Sequence, residues 1–288
     1  MGAASYSALV AVRIGIIRAG ELAAREIAAH SRASLDRPLR MPAELMVATA
    51  LDDALVLGAF QRGAGKPDTA PLVSRGSGGP EVVVAPGTLH VLLVMESPDA
   101  LVPCDERRIV NRAVRPLLRA LTRVGQLAHY FGRDRVVVAH QPVGWVGFAH
   151  DASSRRTTFE ALVHVNEPRL AAAVVDAYAR DRDPVVLDAP VASIEEEGDL
   201  RADPPWTATR EEAIGPIGAG PDAQGRFRVG GDLLVSRDAL ARLEAAAPSA
   251  PDIGRLVDET LAAPGVALDG VRSLGTIRDV IAEAVRHG

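Results

Sequence analysis

Residues 81–95 constrain the fold more than any other part of this chain. Three consecutive valines, Val82, Val83 and Val84, are followed by the turn Ala85-Pro86-Gly87 and then by a near-continuous apolar run over 89–95. Apolar, β-branched runs bounded by Pro-Gly punctuation read as strands, and the short spacing between these two predicts a hairpin. Further strands are expected over 8–17, 54–58, 135–139, 143–148 and 159–165, while 44–50 reads as either helical or extended. Ile109, Val110, Val114, Leu117, Leu118 and Leu121 recur at helical spacing, so 106–124 is predicted to be an amphipathic helix with its arginines on other sides. Pro116 lies inside it, where proline removes a backbone donor and can kink the helix. Shorter helices are expected over 19–34 and 168–180.

The segment 193–224 breaks this rhythm. It holds Glu195-Glu196-Glu197, Pro204-Pro205, Gly215-Pro216 and Gly220-Pro221, a density of breakers that reads as an interdomain linker with a solvated acidic run. The predicted organisation is therefore a large domain over 1–198, a linker over 199–224 and a small C-terminal domain over 225–288. The last part should hold a strand pair within 226–235 and helices over 238–247, 253–262 and 276–286. No period indicates a repeat architecture.

Composition narrows the function classes. The chain is 48% apolar and 24% charged, the profile of a globular protein with its own core. A net charge of −5 provides no bulk pull toward nucleic acid or an anionic membrane. The N-terminal apolar run is interrupted by Arg13 and falls short of the roughly 20 residues that span a bilayer. A single cysteine, Cys104, excludes an internal disulfide and a multi-cysteine zinc site and fits a cytoplasmic location; its apolar neighbours favour inert packing over catalysis. Lys66 is the only lysine, so chemistry that needs a second one is excluded.

Residues 74–91 combine an arginine, a glycine-rich loop and two strands: Arg75-Gly76-Ser77-Gly78-Gly79-Pro80 precedes the valines. Paired glycines let backbone N–H groups approach an anionic or carbonyl group closely, and a neighbouring arginine adds charge-assisted hydrogen bonds. The segment resembles the signature of the lipoate–protein ligases, which are related to octanoyltransferases and biotin ligases. Upstream, Gly58-Ala59-Phe60-Gln61 resembles the family's Gly-x-x-Gln. Downstream, 133–138 resembles the strand that leads to the catalytic lysine, Gly147-Phe148-Ala149 its Gly-small-Ala, and 159–166 a late core strand that ends in Asn166. Residues 225–234 are similar to the Gly-Asp strand of an accessory domain. The resemblance implies an α+β fold: a biotin/lipoate ligase-like mixed β-sheet domain packed with helices, plus a small C-terminal α+β accessory domain.

The same resemblance exposes departures. Such ligases join a carboxylate to AMP and pass the acyl group to a lysine of a carrier domain, using an ammonium to offset developing negative charge. Here Gly144 occupies that lysine's position, or Trp145 if the register shifts by one, and Lys66 lies on another segment. The family's His-Gly pair is Glu160-Ala161, and the third loop glycine is Pro80, which takes an N–H from the cradle. The resemblance thus implies a retained pocket with altered or lost chemistry, formed by Arg75, Ser77, Gly78, Gly79, Gly144, Trp145 and Gly147 and narrowed by Trp145, Phe148 or Pro80. No catalytic residue is assigned. The expected function is a non-catalytic binding or adaptor protein, with a lipoyl-type carrier domain or another protein as partner. The alternative is an active ligase or acyltransferase in which an arginine or histidine supplies the charge; only then would ATP with Mg²⁺ and lipoate or octanoate be cofactor and substrate. His90 is read as a hydrogen-bonded core histidine. His140 and His150 flank the pocket strand without carboxylates at ligand spacing, so no metal is expected. Asp151, Arg155 and Arg156 are read as a surface hairpin.

Overall fold

The computed structural model describes residues 11–190 and 199–287. Residues 8–10 of the first expected strand and Glu195-Glu196-Glu197 lie outside the described residues. The chain runs β1 (Arg13–Leu22), α1 (Ala24–Ala33), β2 (Ala43–Ala50), β3 (Ala54–Leu57), β4 (Leu72–Ser74), β5 (Val82–Val84), β6 (Leu89–Met95) and α2 (Ile109–Arg123). It continues through β7 (Ala128–Tyr130), β8 (Arg135–Val138), β9 (Gln141–His150), β10 (Thr157–Val163), α3 (Leu170–Ala179) and β11 (Asp183–Val186). The C-terminal part holds β12 (Ala208–Glu211), β13 (Pro216–Pro221), β14 (Phe227–Gly231), β15 (Leu234–Val235), α4 (Arg237–Ala246), α5 (Ile253–Leu261), β16 (Leu268–Asp269) and α6 (Leu274–His287). Strands and helices share the chain in an α+β arrangement, as expected.

An eight-stranded mixed sheet in the order β11-β1-β2-β6-β10-β9-β8-β7 is the centre of the molecule. β1 pairs in parallel with β2 and β11, and the remaining pairings are antiparallel. Parallel neighbours need a crossover, which α1 supplies between β1 and β2. Its first turn is capped from outside: Ala23 has no side-chain acceptor, and Asp52 Oδ1 accepts from Ala24 N at 2.6 Å while Glu26 reaches back to Ala23 N at 2.8 Å. One face of the sheet carries Leu93, Val146, Phe148 and Phe159 and is covered by α2 and α3 through Leu117, Val174 and Tyr178. Fully burying each such large apolar side chain contributes roughly 1.5–3 kcal/mol. Pro116 is accommodated inside α2.

The opposite face is covered by α1 and a small sheet in the order β4-β3-β5, which bring Ile27, Val56, Val82 and Val84 against Leu162 and Trp145. The expected hairpin between β5 and β6 is not formed: β5 pairs with β3, whereas β6 pairs with β2 and β10. The reason lies in burial and in the turn. Val83 is 67% exposed while every residue of β6 is buried, so the two strands belong to different layers. Gly87, at φ +88°, donates to Ala50 O, and Ala50 donates to Thr88 O, which pins the crossing to the end of β2.

The proposed linker contains structure. Within 199–224, β12 and β13 form a three-stranded sheet with β14, and this sheet packs on α4, α5 and α6 around Ile217, Val229, Leu240, Val257 and Val280. Its prolines sit at a strand end or outside the strands, and Gly218 and Gly220 approach Trp206 and Thr207 too closely for a side chain. Breaker residues here therefore mark close packing. The strand pair expected over 226–235 is two strands of different sheets, because β15 pairs with β16.

Candidate functional site

The loop between β4 and β5 is built into its surroundings at nearly every polar atom. Arg75 N donates to Leu57 O, Gly76 N to Ser31 Oγ, Gly78 N to Phe148 O and Gly79 N to Leu233 O, all at 2.9–3.0 Å. Ser77 O accepts from Ala59 N. Pro80 has no N–H to offer. The N–H groups of 76, 78 and 79, the ones a cradle would point at a ligand, are spent on the protein.

Arg75 points inward. It is 3% exposed, with Nε donating to Ser77 Oγ at 2.9 Å and Nη2 to the carbonyls of Gly78 and Pro80 at 3.1 and 2.8 Å. The guanidinium thus clasps its own loop, and only the buried Nη1 lacks a partner. Burial lowers its pKa, and Glu160, Asp232 and Asp134 oppose that effect.

Glu160, at the centre of β10, organises the layer below. Its Oε2 accepts from Ser31 Oγ and Ser77 Oγ, each at 2.6 Å, and its Oε1 lies 2.8 Å from His90 Nε2. Burial pushes this carboxyl upward, but His90, Arg75 and Ser31 outweigh it and hold the pKa at about 2. Four segments, β10, β6, α1 and the glycine loop, are thereby tied at one carboxylate. His90 is the buried, hydrogen-bonded core histidine that its strand position implies, although its Nδ1 has no partner.

Glycines permit the closeness. A side chain on Gly147 would meet Gly78 O at 2.3 Å, and one on Gly58 would meet Gly79 O at 2.1 Å. Gly79 adopts φ +102°, a conformation that favours glycine. Gly147 therefore joins Arg75, Ser77, Gly78 and Gly79 in one assembly.

Gly144 does not. It shares the parity of Val146 and Phe148 on β9, and a side chain there would meet Val136 and Val163, on the α2 side of the sheet. The position matched to the ligase lysine thus faces away from the glycine loop. Trp145 has the opposite parity, packs beside Leu162 in the layer under the small sheet, and meets His164 edge-on at 5.4 Å. It fills that layer. Phe148 was expected to narrow the pocket, but its ring lies on the α2 face; only its carbonyl reaches the loop.

Lys66 comes nearer than its segment implied. Its ammonium pairs with Glu81, directly after Pro80. Close by, Gln61 Nε2 donates to Asp232 Oδ1 at 2.5 Å, and Asp232 is raised to about 6, by burial first and then by Asp134 and Glu81. Asp134 is buried, with Oδ2 3.6 Å from Arg135 Nε, and is likewise raised by burial, which Arg135 and Arg133 oppose. Sequence reading missed this acidic margin and the role of Ser31. Glu160 did carry a signal, since a carboxylate inside an apolar strand demands buried partners.

The other candidates disperse. His140 is exposed in the β8–β9 turn at φ +65°, whereas His150, at the far end of β9, is buried between Thr157 Oγ1 and Gly265 O. Among the described residues no three potential metal ligands cluster. Cys104 Sγ donates to Asp105 O, and burial raises its thiol, with Asp105 adding to the effect. Asp151 and Arg155 form the polar β9–β10 connection, where Arg155 pairs with Asp99 at 3.2 Å and Arg156 donates to Arg37 O. No helix among the described residues is long and apolar enough to cross a membrane.

No protein-family model matches the chain, and no curated protein sequence matches it. Solved structures do. Plasmodium falciparum LipL1 in complex with lipoate superposes with a TM-score of 0.62 at 10% identity, over 95% of this chain and 99% of that one. Lipoate-protein ligase A bound with ATP superposes with a TM-score of 0.51 at 12% identity, over 63% of this chain and 90% of that one. A Thermoplasma acidophilum protein of the lipoate protein ligase type with bound lipoic acid gives 0.50 at 12% identity, over 67% and 93%.

Proposed function

We propose that this chain, which has the fold of the lipoate–protein ligases, makes no acyl–lysine bond and works as a binding or adaptor protein, with a lipoyl-type carrier domain as its partner. The observation that supports this reading most is the state of the glycine loop. Its N–H groups donate to Ser31, Phe148 and Leu233, and its arginine is folded onto Ser77, Gly78 and Pro80. Apart from the buried Arg75 Nη1, these donors are satisfied within the protein, and satisfied donors offer no preorganised stabilisation to a developing negative charge. Gly144 supplies no ammonium and faces the opposite side of the sheet. Solved proteins with this fold hold lipoate or ATP; on the proposed reading the glycine loop of this chain serves as structure instead. A cytoplasmic location goes with this reading.

The test is direct. The purified chain is incubated with ATP, Mg²⁺, lipoate or octanoate and an unmodified lipoyl-type acceptor domain, and the acceptor's intact mass is followed. The expected result is an unchanged mass, together with acceptor binding measured by calorimetry. ATP-dependent acylation that co-elutes with the pure chain would overturn the non-catalytic reading, and absence of acceptor binding would overturn the choice of partner.

A further inference from the structure

Helix α2 carries Arg112, Arg115, Arg119 and Arg123 and has no Asp or Glu between Ile109 and Arg123. Solvated helix faces normally interleave both signs, and like charges three or four residues apart repel. Two acids of flanking segments are engaged elsewhere, Asp105 with Arg108 and Asp183 with Arg13; Asp181 pairs with Arg180 and also acts on Arg182, so one carboxylate faces four arginines. Arg115 makes a single 3.4 Å contact with Asn111, and Arg112 and Arg119 have no hydrogen-bond or ion-pair partner among the described residues.

Arg112, Arg115 and Arg119 rim a cleft of about 170 Å³, which Arg182 of the segment after α3 also lines. Arg182 is fixed there by bonds to the carbonyls of Tyr178, Arg180 and Leu101, and its buried Nε has no partner. The floor is apolar, made by Leu93, Met95, Ile109 and Ala113 with the ring of Tyr178. Tyr178 spends its hydroxyl on Ala113 O at 2.7 Å, so it presents only carbon to the cleft. An apolar cavity of about 150 Å³ accommodates a benzene-sized group. Cations gathered in excess of the one nearby carboxylate, Asp181, round such a floor match a ligand with one anionic end and one apolar end.

We infer that this cleft binds a small amphipathic carboxylate, with its charged group among Arg112, Arg119 and Arg182 and an apolar body of about six carbons on Leu93, Met95 and Tyr178. An acidic protein segment would engage Arg123 and Arg108 as readily as the cleft rim; the formed apolar floor favours the small ligand. The site lies on the α2 face of the sheet, opposite the glycine loop, so it stands or falls independently of the proposed function.

Calorimetry on the full chain tests the inference with hexanoate, hexanol and hexylamine, on the wild type, R112Q/R119Q and R123Q. Hexanoate should bind at millimolar concentration and neither hexanol nor hexylamine should. R112Q/R119Q should weaken hexanoate binding at least tenfold with an unchanged melting temperature, because neither side chain is core, and R123Q should bind as the wild type does. Absence of hexanoate binding, equal weakening by R123Q, or stronger binding of an octaglutamate peptide than of hexanoate would overturn it.

Discussion

Arg75→Ala separates a structural clasp from a ligand contact. The guanidinium makes three hydrogen bonds, to Ser77 Oγ, Gly78 O and Pro80 O, at 2.8–3.1 Å. Bonds from a charged donor contribute about 1.5–3 kcal/mol each, which bounds the loss at roughly 5–9 kcal/mol. Releasing a buried charge from its desolvation cost offsets part of that, and removing one partner of a buried ionic cluster typically costs about 3–5 kcal/mol. Glu160 would also lose a favourable charge while remaining buried. We expect a net destabilisation of about 3–5 kcal/mol, which at about 2–4 °C per kcal/mol for chains near this size lowers Tm by roughly 6–20 °C. Thermal denaturation followed by far-UV circular dichroism measures this, and Arg75→Lys, which keeps the charge without the fork, should fall in between. An Arg75→Ala protein that melts within about 2 °C of the wild type would refute the clasp and return the arginine to a ligand.

Asp232, raised to about 6 in the folded chain, binds protons that the unfolded chain has released, so stability should fall as pH rises from about 4 to 6. Asp232→Asn keeps an acceptor for Gln61 and should flatten that slope in urea melts across the window; parallel curves would contradict it. Glu160 acts with the opposite sign: held at about 2, its contribution is present above about pH 4.3 and lost as pH falls toward 2, a limb that Glu160→Gln should flatten in acid titrations. Gly144→Lys should produce no acylation and should destabilise by about 2 kcal/mol or more, since the new side chain enters against Val136 and Val163; a stable, acylating variant would sink the assigned facing of β9. Limited proteolysis should spare 208–221, whose backbone is paired in a sheet, and early cuts inside β13 would show that the sheet opens.

Periodicity carried much of the fold. The spacing of Ile109, Val114, Leu117 and Leu121 marked α2, and the apolar runs marked β3, β6, β9 and β10, because burial writes itself into the pattern at the period of the element. Pairing was less legible. Nothing local distinguishes a hairpin from two strands in different layers, and what separates β5 from β6 is the exposure of Val83 between two buried valines, a property of the folded chain. Residues 208–221 were illegible for a related reason: the glycines at 218 and 220 are required by contacts with Trp206 and Thr207 across a strand pairing, and composition marks the glycines without showing the pairing. The loop residues themselves were found as a group, and Gly147 does meet them. What the sequence could not say was where their donors point, which is decided by Phe148 O and Leu233 O from distant segments.

The contacts of Gly58 with Gly79 and of Gly147 with Gly78 change what a glycine motif reports. A side chain on Gly58 or on Gly147 would strike a backbone oxygen at 2.1–2.3 Å. The loop glycines are held in the same way, since a side chain on Gly78 would strike Leu233 O at 2.2 Å and Gly79 sits at φ +102°, so packing alone is enough to require the Ser-Gly-Gly pattern. Among descendants of this chain, survival of the pattern would report that this packing is kept, and would not by itself report the presence of a substrate.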